Sequence, residues 1–502
     1  MKIFKVVASI VATLALSLGT VSTVNAAGAT LTLGAAQAPV SFAADQGEYG
    51  NKVWYYQSVY DTLLRKTESG RLVPGLATRW SYNSAQTVLS ITLRSGVKFT
   101  DGTAFTPSAV VANLIANRDS KGPNAGFLSK VTSVKTAGTT GVVLTLSESN
   151  PSLLGYLADT AGLMASPKTI GSATARTSPV GTGPYILDAA KSVAGSKYVY
   201  KANPSYWDAK NRKYSALVIN VYDNNQTAMV NALRSGAIQA GSVQNATTAA
   251  LLVANNGFKA SQAYLDAAGI YFSDRGGKRG SCIADVKVRQ AINTVFDRAG
   301  MAVALEAGTA RPTTQFVPSY MPGYDKSLNN LFKYDEAKAK SLMAESKFPT
   351  GCTITMPVAV GAFGEALYSI IDTQLAKLGV IVKRDAPGSA FIGNIFDNKY
   401  DAYFIPLERS ADTWTLLNFA VAENATFNND KYSTPQMTKL IGDFRKATEA
   451  QRPAIMKSIN KILVNDGWFS IFYEKQANFI YKGIVVKAPQ SGNIVPFLYN
   501  IK

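Results

Sequence analysis

From Thr30 to the C terminus, short runs with a two-residue apolar period alternate with stretches whose apolar residues recur every three or four positions. That alternation is the pattern of a mixed α/β protein, in which helices cover a sheet. Leu89, Ile91 and Leu93 alternate with polar residues ahead of Arg94-Ser95-Gly96, which predicts a strand and a turn. Val142, Leu144 and Leu146 predict a second strand, ended by Asn150-Pro151. Val288, Ala291, Ile292, Val295 and Phe296 predict a helix, with Asp285 placed to cap its start. Asp335 and Glu336 open another helix through Met343. Leu367, Ile370, Ile371, Leu375 and Leu378 make a further stripe, stopped by Gly379, and Val380 to Lys383 reads as a strand. The stripes are read as core packing. There is no repeat of roughly 20–50 residues and no long linker, so the domains should abut directly.

The N terminus carries a different signal. Lys2 and Lys5 precede a mostly apolar run from Val6 to Leu18, and Val24-Asn25-Ala26 supplies small residues at cleavage spacing. Residues 1–26 are therefore read as a signal peptide, against the alternative of an uncleaved anchor. No cysteine follows the apolar core, so a lipid anchor is not expected. Beyond residue 26 no apolar segment approaches the roughly 18 residues that cross a bilayer. The remaining chain of about 475 residues is some three domain-lengths. At 47% hydrophobic and 17% charged residues it reads as globular.

Composition removes several kinds of chemistry. The chain has no histidine, so Ser-His-Asp and Cys-His catalysis and histidine-containing zinc sites are excluded. Its formal charge is +18, but the Lys and Arg residues are scattered, without a basic run or a nucleic-acid module. Nucleic acid is not an expected partner; an anionic surface or acidic solute suits the charge better. Cys282 and Cys352 are the only cysteines. In an oxidising compartment they either pair or stay as two buried thiols, and pairing is the commoner outcome. Val180-Gly181-Thr182-Gly183-Pro184-Tyr185 lacks the lysine of a phosphate loop, and Pro184 interrupts any helix there. Asp274-Arg275-Gly276-Gly277-Lys278 reads as a mobile loop. No catalytic motif stands in a supporting context, and no cofactor is expected.

Aromatic residues are the better lead. Trp54, Tyr55, Tyr56 and Tyr60 cluster early, and Trp414, Phe419 and Phe427 late. Such residues suit a cleft around a small solute, and equally a core. Arg409 and Asp412 lie between a strand at Asp401–Ile405 and Trp414, where they form opposite charges at a cleft or a surface ion pair.

Several ordered segments carry a family resemblance. They are Ser58–Trp80 (SVYDTLLRKTESGRLVPGLATRW), Leu93–Val111 (LRSGVKFTDGTAFTPSAVV), SPVGTGPY at Ser178–Tyr185 and NPSYW at Asn203–Trp207. ALRSGAIQAG at Ala232–Gly241, DVKVRQAINTVFDR at Asp285–Arg298, YDEAKAKSLMAES at Tyr334–Ser346 and QLAKLGVIV at Gln374–Val382 continue the series. Together they resemble the family 5 solute-binding proteins of ABC transporters, the dipeptide, oligopeptide and nickel receptor group.

The resemblance implies an α/β, two-lobed periplasmic-binding-protein fold (type II, Venus-flytrap), with an extra inserted subdomain in lobe one. It implies lobe one at 28–50, 180–268 and 476–502, the inserted subdomain at 51–179 and lobe two at 269–475. A Cys282–Cys352 bridge would then brace lobe two alone. The implied function is capture of an organic solute, a peptide or a peptide-like or anionic small molecule, by a monomeric receptor that delivers it to a membrane permease. The alternative is an exported chaperone or sensor on the same scaffold. The implied location is periplasmic or secreted. Peptide-binding members carry a "GW..D...DP" segment whose acid meets the peptide amine. Here Tyr400–Trp414 reads YDAYFIPLERSADTW, with Pro406-Leu407 for Gly-Trp, Ser410 near the acid and no Asp-Pro. The cleft is expected from Ala38–Phe42, Val358–Phe363 and Leu407–Trp414. The named ligand-binding residues are Phe42, Phe363, Arg409, Asp412 and Trp414.

Overall fold

A computed structural model describes residues 28–48, 50–361, 363–489 and 492–502. Residues 1–26, read above as a signal peptide, lie outside the described residues. Among those described, no helix is long and apolar enough to cross a membrane.

One nine-stranded sheet runs through the molecule. In chain order its strands are β1 (Thr30–Ala35), β2 (Tyr185–Leu187), β3 (Lys197–Ala202), β4 (Ala216–Val221), β5 (Ala240–Val243), β6 (Lys259–Phe272), β7 (Arg311–Pro312), β8 (Ala402–Glu408) and β9 (Phe469–Tyr481). Their order across the sheet is β8-β6-β9-β5-β1-β4-β3-β2, with β7 also paired to β9. Strand β1 is parallel to β4 and β5, which needs long crossovers and gives the sheet its α/β character.

Strands β6 and β9 are 14 and 13 residues long, more than twice the common strand length. They pair antiparallel from Lys259↔Tyr481 to Tyr271↔Phe469. At one end β9 also pairs with β5, through Ala240↔Tyr481 and Val243↔Asn478. At the other end β6 pairs with β8, from Asp266↔Glu408 to Phe272↔Ala402. The two strands thus belong to a different neighbourhood at each end. Between these neighbourhoods the register slips at Tyr264/Asp266, which leaves Leu265 as an extra residue. A bulge of this kind bends the strand and re-aims the side chains beside it.

Separate apolar cores lie on either side of the bulge. One gathers Leu31, Trp54, Tyr200, Leu217 and Phe479, and a satellite at Met229, Leu233 and Leu252 packs under the same end. Beyond the bulge, one core joins Ile292, Phe296, Ile371 and Phe472, and another joins Tyr271, Tyr403, Leu417 and Trp468. A further core, with Leu89, Ile91, Val110 and Leu144, fills a four-stranded sheet of Ala77–Tyr82, Val88–Leu93, Gly141–Leu146 and Val131–Ala137. Two glycines show how that region docks. A Cβ on Gly181 would meet the Val59 carbonyl oxygen at 2.1 Å, and one on Gly183 the Val59 carbonyl carbon at 2.5 Å. Only glycine permits that approach.

The helix caps follow the sequence. Asp285 accepts from Lys287 N at the start of Val286–Val295, and Asp335 accepts from Lys338 N at the start of Glu336–Ala344. Gly379, at φ +69°, turns the chain from Glu365–Ala376 into the strand Val380–Asp385. Two expectations change. The loop at Asp274–Lys278 is anchored rather than mobile: Gly276 N and Lys278 Nζ both donate to Asp430, and Arg275 is buried against Asn428 and Asp430. The strand expected to end at Ile405 continues to Glu408. Pro406 lies within it because β8 is the sheet edge, where a missing N–H donor is tolerated.

A disulfide joins Cys282 to Cys352 with Cα atoms 6.4 Å apart. It links the turn before Val286–Val295 to the strand Cys352–Pro357.

Candidate solute cleft

The three added residues of β8 decide where Arg409 goes. The strand delivers it to the bulge, where it is fully buried. Its Nε donates to Leu265 O at 2.8 Å, and Nη2 donates to Tyr264 O at 3.2 Å and to Glu474 Oε1 at 2.8 Å. Nη1 donates to Phe316 O at 3.2 Å. Glu474, on β9, is 1% exposed. The guanidinium fork is thus spent on backbone carbonyls and one buried carboxylate. Arg409 does not present a cation to a cleft, and the expectation that it contacts ligand is corrected.

Next to it a cavity of about 580 Å³ opens between the two ends of the sheet. The first end contributes Ala36, Gln37, Lys52, Gln226 and Gln244. The crossing strands contribute Asp266, Lys475, Gln476 and Asn478, the edge strand Glu408, and the C-terminal segment Asn493 and Ile494. Its volume lies within the range of small-molecule sites. Side-chain amides dominate its polar lining.

Two acids face each other in this cavity. Asp266 and Glu408 are direct cross-strand partners, an arrangement that is unfavourable for like charges. Neither carboxylate has a hydrogen-bond or ion-pair partner among the described residues. Asp266 is half-buried, and its pKa is raised by desolvation, opposed by Arg409 and Lys475. Glu408 reaches the water of the cavity, yet the surrounding walls raise its pKa by desolvation and Asp266 raises it further. The cations nearby are already engaged: Lys475 Nζ is 3.0 Å from Glu306, and Lys52 Nζ is 2.6 Å from Glu48. The cavity therefore holds excess acceptor charge that a cationic group would relieve.

A second cavity, of about 620 Å³, lies between the four-stranded subdomain and the helices beyond β8. Trp80, Tyr320, Trp414, Phe444 and Phe497 line it. Trp414 stacks on Phe444 with ring planes 3° apart and centroids at 6.0 Å. Asp412 lines the cavity too, but its carboxylate caps the helix Thr413–Ala420, accepting from Thr415 N at 2.7 Å, and it accepts from Ser152 Oγ of the subdomain. Tyr156 and Thr415 hydroxyls meet at 2.8 Å. Glu148 lies 2.6 Å from Lys130 and pairs with Arg445, and Gln86 Nε2 donates to Ala447 O at 3.2 Å. Asp412 and Trp414 thus stand where the segment carrying Ser152 and Tyr156 meets the helix Thr413–Ala420.

The aromatic expectations divide. Phe42 is 4% exposed and packs edge-on against Tyr55 and Tyr198 in the first core. Its backbone is tied at both ends, N–H to Arg176 O and carbonyl to the Tyr60 hydroxyl. It is a core residue rather than a cleft wall, and the chain reaches the cavity earlier, at Ala36 and Gln37. Phe363 is half-buried against Phe404 at 5.3 Å, wedged between the two far cores, and lines neither cavity. Glu408 falls within the expected cleft segment Leu407–Trp414 without having been singled out, and Asp266 and Lys475 were not anticipated. The available signal was a single acid ahead of the apolar run Ala267–Phe272.

Residues 71–426 match the family described as bacterial extracellular solute-binding proteins, family 5, middle region. The chain belongs to this family. It is 27% identical over 339 residues to the glutathione-binding protein GsiB of Salmonella typhimurium, covering 64% of this chain and 63% of that protein. To the protein of the same name from Shigella dysenteriae it is 25% identical over 440 residues, covering 84% of each chain. The match therefore spans less than two thirds of the first relative's length and more of the second. Among solved structures, HbpA2 from Haemophilus parasuis superposes with a TM-score of 0.84 at 19% identity, covering 94% of this chain and 99% of that one. DppA from Helicobacter pylori in complex with the peptide STSA gives 0.74 at 19% identity, covering 95% and 98%. These likenesses establish the two-lobed binding-protein fold. In the sheet, β6 and β9 are the two long strands that have different neighbours at each end.

Proposed function

We propose that this protein is the substrate-binding component of an ABC importer, and that it captures an amine-bearing, amino-acid-derived solute in the hinge cavity. The observation that carries this reading is the Asp266–Glu408 pair, two carboxylates opposed across strands in the cavity and without partners among the described residues. A protonated amine between them would remove their repulsion and supply their missing donors. Hydrogen bonds to charged groups contribute about 1.5–3 kcal/mol each. The amide-rich walls suit the peptide or carboxylate part of the same solute, with Lys475 and Lys52 shared between it and their glutamates. An acidic solute without an amine is disfavoured, because Arg409 is already neutralised by Glu474. The relatives point the same way: those named for glutathione and the one solved with a peptide bind amino-acid-derived solutes.

In this reading the lobes comprise residues 28–50, 180–268 and 476–502 on one side and 269–475 on the other, with 51–179 as the inserted subdomain. The separate cores on either side of the bulge support the two lobes, and the core of the four-stranded sheet supports an added subdomain, although Trp54, Tyr56, Tyr60 and Leu163 from 51–179 pack in the first core. Lobe closure is a two-state equilibrium that the solute shifts by its preference for the closed form. The receptor works outside the cytoplasm, in the periplasm or secreted, as a monomer that hands intact solute to a permease. The test is thermal stabilisation by candidate solutes with recovery of the solute afterwards. A receptor gains stability by mass action as solute rises above Kd and returns it unchanged. Cleavage of the solute would make the protein an enzyme and end the proposal.

A further inference from the structure

We propose that Arg409, with Glu474, is the positioning residue of the hinge: it fixes the angle between the lobes and aims Asp266 and Glu408 into the cavity without touching solute. The aiming of the two acids rests on the function proposed above; the control of the lobe angle does not.

The register slip at Leu265 is one of two irregular points in the pairing of β6 with β9, the other falling between Ala268 and Gly269, and it is the one whose carbonyl Arg409 binds. A bulge interrupts the ladder there, and changes of backbone angle cost least where ladder bonds are already missing. Arg409 occupies that point. Its fork takes the carbonyls of Tyr264 and Leu265 on β6, while the same guanidinium reaches Glu474 on β9 and Phe316 in the far lobe. Four acceptors on three segments are thereby held by one group, a task for which a guanidinium with five N–H donors is built and an ammonium is not. The Tyr320 hydroxyl donates to Arg409 O at 3.1 Å, which fixes the backbone of the arginine itself. Glu474 is held from a second side by Arg311 at 3.4 Å, and the Arg311 guanidinium lies 3.8 Å over the Tyr264 ring.

Sequence neighbours complete the argument. Leu265, whose carbonyl is bound, directly precedes Asp266, and Glu408 directly precedes Arg409. The backbone beside each cavity acid is therefore anchored to one guanidinium. Burying an ion pair is no efficient route to stability, since apolar residues of similar volume usually serve as well. A pair retained at the bulge is better explained by the geometry it enforces.

The test uses the full chain without solute. Dyes or spin labels placed by Val253→Cys and Ile381→Cys, exposed positions on opposite lobes, report the distribution of inter-lobe distances while the native disulfide stays intact. Arg409→Met/Glu474→Met removes both charges together, and this variant is expected to stay folded with a distribution at least twice as wide as that of the parent. Arg409→Lys retains the charge but not the fork and is expected to widen it as well. Should the double variant not fold, Glu474→Gln keeps shape and one hydrogen bond, and a smaller widening is expected. A parental distribution in the folded variants, with stability alone reduced, would overturn the proposal and leave Arg409 an ordinary buried ion pair. Restoration of the parental width by lysine would overturn the role of the fork.

Discussion

The hinge cavity and the cavity beside Trp414 differ little in volume, about 580 against about 620 Å³, and differ in how their buried or bridging acids are placed. In the first, Asp266 and Glu408 oppose each other without partners among the described residues. In the second, the Asp412 carboxylate already has Thr415 N and Ser152 Oγ, and Lys66 is paired with Asp159. The contrast separates two uses of polar groups in a two-lobed receptor. Charge left uncompensated inside a cleft has a free-energy incentive to recruit a solute. Charge compensated across a domain boundary holds the domains together.

The largest effect should come from Arg409, which underlies the hinge cavity. Arg409→Met alone leaves Glu474 buried with only the more distant Arg311, and a stability loss of about 3–5 kcal/mol is expected in denaturant unfolding. A loss within experimental error would mean that the hinge is not built around this pair. Next come the cavity acids. Asp266→Asn or Glu408→Gln should weaken an amine-bearing solute by about 1.5–3 kcal/mol in titration calorimetry, whereas Trp414→Phe should change its affinity little. The reverse ranking would move the solute to the aromatic cavity.

The same acids set a pH dependence. Their pKa values are raised on folding, so the folded protein holds these protons more tightly than the unfolded chain does. Solute-free stability should therefore decline as pH rises from the ordinary carboxylate range through the raised values, and stay lower above them. Asp266→Asn and Glu408→Gln should flatten that decline and raise the melting temperature at neutral pH. A lowered neutral-pH melting temperature would show that the acids stabilise the fold rather than serve binding.

Smaller effects are expected at the domain boundary. Asp412→Ala removes a helix cap and should cost about 1 kcal/mol of stability. Glu148→Gln loosens contacts to Lys130 and Arg445 near the surface and should cost less than about 1 kcal/mol, with the difference shrinking in high salt. An Asp412 effect on solute affinity larger than that of Asp266 would break the division between binding and closure.

Much of this architecture was legible in the sequence because local and global signals agree. Asp285, Asp335 and Gly379 mark helix ends by hydrogen bonding and backbone freedom that act within a few residues. The ordered motifs pointed to the family and its two-lobed fold. The site was less legible. Pro406 reads as a strand terminator, and only its position on the sheet edge allows β8 to continue and carry Arg409 to the bulge. Phe42 is an aromatic in a loop near the cleft by order, but Tyr55 and Tyr198 claim its faces. Asp266 is the one acid of β6, and its place in the proposed site comes from Glu408, more than a hundred residues away, being placed opposite by strand pairing. Asp412 carries two roles, cap and inter-domain contact, and the second depends on Ser152 in a distant segment.

The central claim is that the partnerless acids of the hinge cavity bind an amine. The most direct measurement is a thermal-shift titration with glutathione and a panel of short peptides, each compared with its N-acetylated counterpart at the same concentration. The account predicts that at least one free-amine compound raises the melting temperature in a concentration-dependent way and that acetylation of its amine removes the shift. Equal stabilisation by a compound and its N-acetylated form would contradict it.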